Sequence, residues 1–260
     1  MKLFNALVLA GERGEKNPLL EKTGAPCKAL VPVKGVPMLM RVLDALIQCT
    51  PVDKILLLGP EKKFWEEIAS KVTYPKLSWT PQAASPSLSV YKGLEILGEE
   101  PVFLTTADHA LLRPEIVEYF LHRALKAGGD LAVGIARYET LSVSYPEARR
   151  TTYRLKEGAF CSTNLYAFLT PLSHRAVIFW REVETQRKNP LKIVRAFGIK
   201  PLAKYLAKKL ALKEAFAYVS QALGCNTVPV IIPYPEAAID VDSVEDLALV
   251  EKILDKRGEK

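Results

Sequence analysis

Leu7-Val8-Leu9-Ala10-Gly11-Glu12-Arg13-Gly14 opens the informative part of the chain, and Pro26-Cys27-Lys28-Ala29-Leu30-Val31-Pro32-Val33-Lys34-Gly35-Val36-Pro37-Met38 follows a short way on. The first stretch completes an apolar strand over residues 3–9 and runs into a glycine turn. The second is a basic, proline-punctuated loop that leads into a helical pattern over residues 37–48. A strand that delivers a small-residue, basic loop to the edge of a sheet is a way to hold a polyphosphate. Glycines let backbone N–H groups approach the oxygens, and a lysine on the same loop neutralises charge. The stretch therefore points to nucleoside triphosphate chemistry.

Outward from this segment the elements alternate. Strands are predicted at 54–58, 77–80, 101–105 and 131–136, and helices at 61–70, 87–97 and 114–127. Strands alternating with helices imply an α/β fold with a mostly parallel sheet covered on both faces. After Arg137 the pattern changes. Residues 151–155 and 164–169 read as strands around a Lys156-Glu157-Gly158 turn, and 171–223 as a long, interrupted helical stretch. Strand character returns at 227–232 and 238–241, and a helix over 244–254 follows. Residues 1–136 and 227–260 thus read as a core, and 137–226 as a largely helical insertion or lid packed on the same domain.

The chain has 260 residues, enough for a full core, and its 49% apolar and 25% charged content is ordinary for a soluble globular protein. The net charge of +7 admits nucleic acid, an anionic membrane or phosphorylated ligands as partners. The basic residues are dispersed outside 175–213, which argues against nucleic acid. Cys27, Cys49, Cys161 and Cys225 lie far apart without zinc spacing and read as free thiols in a reducing, cytoplasmic setting. No run is long enough to span a membrane, and the first residues lead directly into a strand rather than a signal peptide.

Two further segments carry chemistry. In Val102-Phe103-Leu104-Thr105-Thr106-Ala107-Asp108-His109 an aspartate stands just past the end of an apolar strand. That edge of an open α/β sheet is where ligands bind. A carboxylate there is a candidate ligand for Mg²⁺ or Mn²⁺, and equally a turn aspartate before the helix at Pro114. In Ala238-Ile239-Asp240-Val241-Asp242-Ser243-Val244-Glu245-Asp246-Leu247, Asp240 and Asp242 share one side of an extended segment, so either is a candidate second metal ligand. Ser243 with Asp246 also approximates a capping box.

The order of these motifs resembles nucleotidylyltransferases of the molybdenum-cofactor guanylyltransferase-like group: a glycine loop, a Pro-x-Lys-x-Leu-x-Pro-Val-x-Gly-x-Pro run, a strand-end aspartate, and Asp-x-Asp-Ser-x-Glu-Asp-Leu. Methylerythritol-phosphate cytidylyltransferases and sugar-phosphate nucleotidylyltransferases are more distant. The resemblance covers residues 3–136 and 227–256. It implies a Rossmann-like (GT-A type) fold that transfers NMP from an NTP to a small or lipid-linked phosphorylated acceptor and releases pyrophosphate. It further implies nucleotide contacts from Leu9, Ala10, Gly11, Gly14, Lys28, Ser85, Ser89 and Asp108. Lys28, with Arg13 or Lys16, would stabilise transition-state charge, and Asp108 with Asp242 or Asp240 would hold the metal. The chain departs from the family where a second glycine is replaced by Glu12, and where Lys16 stands at a position usually held by arginine. Lysine lacks the bidentate fork of arginine, which leaves the roles of Arg13 and Lys16 open.

A phosphate acceptor is already ionised, so this reaction needs positioned positive charge rather than a general base. Three readings apply to the basic stretch with Arg175, Arg181, Arg187, Lys188, Lys192 and Arg195 and to the lysine-rich segment after it: a solvated face, an acceptor-binding lid, or peripheral membrane contact. A homodimer is a further expected partner class. Two other functions compete: a GT-A-type glycosyltransferase using a nucleotide sugar at Asp240-Val241-Asp242, and a catalytically idle nucleotide-binding protein.

Overall fold

The computed structural model describes residues 2–12, 17–98, 101–184 and 198–259. Among these, one eight-stranded, mostly parallel sheet runs through the molecule. Its strands are β1 (Phe4–Leu9), β4 (Val52–Leu58), β5 (Leu77–Thr80), β6 (Val102–Thr106), β7 (Leu131–Arg137), β8 (Tyr153–Leu155), β9 (Gly158–Phe168) and β10 (Thr227–Ile232). Their spatial order is β10-β7-β9-β6-β1-β4-β5, with β8 paired onto β9. Two short strands, β2 (Pro32–Val33) and β3 (Val36–Pro37), form a separate hairpin around Lys34-Gly35.

Strand β1 lies between β4 and β6, parallel to both, and Ala6, Leu7 and Val8 are fully buried. A strand buried on both faces reads as continuous apolar sequence, as this one does. Helices α2 (Met38–Ile47), α3 (Lys62–Ala69), α4 (Pro86–Leu97) and α5 (Pro114–Ala127) are the crossovers. Each of α2, α4 and α5 turns an apolar stripe inward. On α5 the stripe is Ile116, Val117, Phe120, Leu121 and Ala124, and burying each large member stabilises the fold by about 1.5–3 kcal/mol.

The region after Arg137, read as a largely helical insertion or lid packed on the same domain, also contributes to the sheet itself. Strand β9 starts at Gly158, not at residue 164, and lies between β6 and β7, antiparallel to both. The stretch 137–226 therefore supplies a central strand of the sheet. Helix α6 (Tyr138–Ser144), anchored by buried Leu141, was not anticipated. The long helical reading resolves into α7 (His174–Glu184), α8 (Ile199–Leu206) and α9 (Leu212–Leu223).

Nor is there a strand at 238–241. Pro235–Ala238 forms a 3-10 turn, and Val241 N–H donates to the Asp108 carbonyl at 3.0 Å. The segment is extended because it lies across the loop after β6. Helix α10 (Val244–Arg257) then starts with the expected Ser243–Asp246 capping box. Helix α1 (Pro18–Thr23) was missed, although Asn17 as N-cap, proline at the first position and left-handed Gly24 at the end all signal it.

Candidate active site

The carboxyl ends of β1, β4 and β6, with the loops that follow β1, β5 and β6, line a cleft of about 990 Å³. Leu9, Ala10, Gly11, Lys28, Ser85, Ser89, Asp108, Asp240 and Asp242 all line it, so these predicted site residues are brought together. Arg13, Gly14 and Lys16 lie outside the described residues, as do Arg187, Lys188, Lys192 and Arg195.

Lys28 is the centre of the arrangement. It opens a 3-10 turn, Lys28–Leu30, directly before β2. Its backbone N–H donates to Glu12 Oε2 at 2.7 Å. Glu12, out of place in a phosphate loop by sequence, therefore ties the β1 loop to the lysine turn. The Lys28 ammonium donates to Asp108 Oδ2 at 2.6 Å and to Asp242 Oδ1 at 2.5 Å. Burial works against its charge, but the two carboxylates outweigh burial and hold its pKa above the ordinary lysine value. Asp108 shows the converse: burial opposes ionisation, and Lys28 together with the Thr106 hydroxyl, 2.5 Å from Oδ1, pulls its pKa below the usual carboxylate range.

Asp240 behaves differently from Asp242. Its Oδ1 lies 3.2 Å from Arg150 Nη1, and its Oδ2 accepts from Asn164 Nδ2 at 2.8 Å. Arg150 Nη2 also donates to the Asp240 carbonyl at 2.6 Å and lies 3.0 Å from Asp246 Oδ1. Both oxygens of Asp240 are thus held by protein donors. Burial, and next the Asp108 charge, push its carboxyl up to about 6 against the pull of Arg150. The Asp242 side chain is 64% exposed, and Lys28 is its cationic partner in the cleft. His109, next to Asp108, is buried, and burial pulls its imidazole down to about 4.

The β5–α4 side of the cleft is a hydroxyl-rich turn. Ser85 caps α4, accepting from Leu88 N–H at 3.3 Å, and Ser89 Oγ accepts from Ala83 N–H at 2.8 Å. Gln82 clasps the β1 loop: its Oε1 accepts from Glu12 N–H at 2.6 Å and its Nε2 donates to Glu12 O at 3.1 Å. The clasp requires Gly11, because a Cβ there would stand 2.1 Å from Gln82 Oε1.

Gln82, Arg150, Asn164 and Glu184 were all missed by sequence reasoning. Glu184 lines the cleft and accepts from the Ser87 hydroxyl, which brings α7 over the start of α4. Asn164 carried one faint signal, since asparagine is among the few residues that adopt a left-handed conformation readily. It has φ +51° where β9 shifts register against β7, and the shift aims its side chain at Asp240. Arg175 donates to the Gly224 carbonyl at 3.2 Å, and Arg181 lies 5.5 Å from the Tyr91 ring centre.

The chain is similar over its length to several solved structures. It is 32% identical to a hypothetical transferase from Thermus thermophilus, with TM-score 0.80 over 95% of this chain and 100% of the other. At 13% identity it resembles 4-diphosphocytidyl-2C-methyl-D-erythritol synthase from Anaerococcus prevotii, with TM-score 0.59 over 98% of this chain and 96% of that one. Also at 13%, it resembles a CMP:2-keto-3-deoxy-manno-octonic acid synthetase, with TM-score 0.58 over 99% and 100%. The last two share the Rossmann-like nucleotidyltransferase fold. No curated protein matches by sequence. Residues 6–222 match the model of the MobA-like NTP transferase domain, and with the cleft at the matching strand ends the chain belongs to that family of nucleotidyltransferases.

Proposed function

We propose that the protein is a Mg²⁺- or Mn²⁺-dependent nucleotidylyltransferase that moves NMP from an NTP to a phosphorylated acceptor. The observation that carries this reading is the Lys28 ammonium, 2.6 Å from Asp108 and 2.5 Å from Asp242, at the carboxyl edge of the sheet. The ammonium marks a point on which two carboxylates already converge, and an all-oxygen donor set suits a hard cation. Among the described residues no group of three or more His, Cys, Asp or Glu side chains is arranged to hold a metal. Mg²⁺ keeps several waters and takes much of its shell from substrate phosphates, so it can be held by one or two carboxylates. Asp108 and Asp242 would hold it, and when bound it supplies neutralising charge to the phosphates.

The chain's own residues do the remaining work. An acceptor phosphate oxygen attacks the α-phosphorus, the bond from α-phosphorus to the bridging oxygen breaks, and pyrophosphate leaves with the electron pair. Lys28, released from one of its carboxylates, stabilises the charge that builds on the departing oxygens. The backbone around Ala10 and Gly11, held by Gln82 and Glu12, shapes the phosphate-facing loop. Asp240, locked by Arg150 and Asn164, fixes the segment that presents Asp242. The test is a screen of the four NTPs against phosphate-monoester acceptors with pyrophosphate as the readout. Magnesium-dependent pyrophosphate release that chelation abolishes is expected. Release of a nucleoside diphosphate from a nucleotide sugar instead would replace this reading with glycosyl transfer.

A further inference from the structure

Helix α8 wears its apolar stripe on the outside. Ile199, Leu202, Ala203 and Leu206 recur at the spacing that puts residues on one helical face. In a globular protein such a face is turned to the core. Here Ile199 is 75% and Leu206 72% exposed, and Leu202 and Ala203 are exposed beside them. The helix is held from its other side, where Pro201 is buried and Tyr205 half-buried.

The charge around the stripe is of one sign. Between Gly198 and Lys213 the chain carries Lys200, Lys204, Lys208, Lys209 and Lys213 and no acidic residue. Lys204 pairs with Glu214, while Lys200, Lys208, Lys209 and Lys213 are exposed. The location is also informative. The chain after α8 is tied to the β8–β9 turn, with Lys156 N–H donating to the Leu210 carbonyl and Leu212 N–H to Glu157 Oε2, both at 2.9 Å. That turn stands past the carboxyl edge of the sheet: Phe160 pairs with Arg137, the last residue of β7, and cleft-lining Asn164 lies further along β9.

We propose that α8 docks this protein on an anionic bilayer, the aliphatic stripe entering the interface and the flanking lysines meeting lipid phosphates. An exposed apolar face bordered by lysines is the pattern of an interfacial helix. A second copy of the chain fits it less well, because twofold self-pairing of α8 would set its lysines against their own kind. The inference does not depend on the chemistry of the cleft.

The experiment is co-sedimentation of the full chain with phosphatidylcholine vesicles, with and without phosphatidylglycerol. Binding only to the phosphatidylglycerol vesicles, weakened by added salt, is expected. The double variant Ile199→Glu/Leu206→Glu should bind at least about tenfold more weakly, since it removes buried apolar area and adds repulsion. Lys200→Glu/Lys208→Glu should lose about fivefold or more per lysine, the factor that corresponds to roughly 1 kcal/mol for each basic residue at such a surface. All four side chains are exposed, so circular dichroism and the thermal midpoint should match wild type. Absence of binding to the anionic vesicles overturns the proposal, as does binding that neither variant weakens. A wild-type dimer that Ile199→Glu/Leu206→Glu converts to monomer overturns it in favour of self-association.

Discussion

The cleft and helix α8 both rely on lysine, and they use it in opposite ways. In the cleft one ammonium, Lys28, is wedged between two carboxylates, with a third carboxylate beyond them held by Arg150 and Asn164. On α8 and the chain after it, Lys200, Lys208, Lys209 and Lys213 project into solvent with no acid among them in sequence. Charge matched at hydrogen-bond distance within a partly buried cleft is screened little by salt. Charge spread over an open surface is screened within about 8–10 Å at physiological ionic strength. A basic residue in the sequence therefore says little until the structure shows whether carboxylates converge on it.

The largest effect is expected at Lys28. Lys28→Ala should lower turnover by about 10²–10³ or more, the scale for removing one group aimed at transition-state charge. Single-turnover pyrophosphate release measures it, and near-wild-type turnover would dismiss Lys28 from the mechanism.

Arg150→Ala should act on the fold as much as on activity. It strips Asp240 and Asp246 of a cation that is only 11% exposed, a loss of about 3–5 kcal/mol by the usual cost of breaking a buried pair. Chemical denaturation reads this directly. A change below about 1 kcal/mol would place the network with surface ion pairs instead.

A finer test separates the two aspartates. Asp242→Asn should raise the metal concentration needed for half-maximal activity by about tenfold, as removal of one ligand or ligand-orienting group does. Asp240→Asn should move it less and lower the thermal midpoint more, because both Asp240 oxygens are engaged by Arg150 and Asn164. The reverse ranking would transfer the ligand role to Asp240.

Gly11→Ala should weaken NTP binding by a few-fold to about tenfold, since the added methyl meets Gln82 and opens its clasp on Glu12. Gln82→Ala removes the same clasp without the clash. An equal loss in both variants, by calorimetry, identifies the clasp as the cause, whereas a loss confined to Gly11→Ala identifies the clash.

Much of this protein was legible without a structure. The strands of the parallel sheet announce themselves as short apolar runs, because a strand buried on both faces has no polar face to show. Asp108 was legible for a related reason, since the residue that ends a buried strand must stand at the sheet's edge. The placement of β9 was not legible. Its sequence alternates weakly, and insertion between β6 and β7 is decided by pairing with strands that lie far away along the chain. The same limit hid Arg150, Asn164, Gln82 and Glu184, whose partners are Asp240, Asp240, Glu12 and Ser87. Local spacing dictates helices, turns and strand ends because those depend on neighbours a few residues apart. The choice between Asp240 as anchor and Asp242 as the aspartate facing Lys28, and the outward stripe of α8, belong to tertiary structure, where what a side chain meets depends on segments that only folding brings beside it.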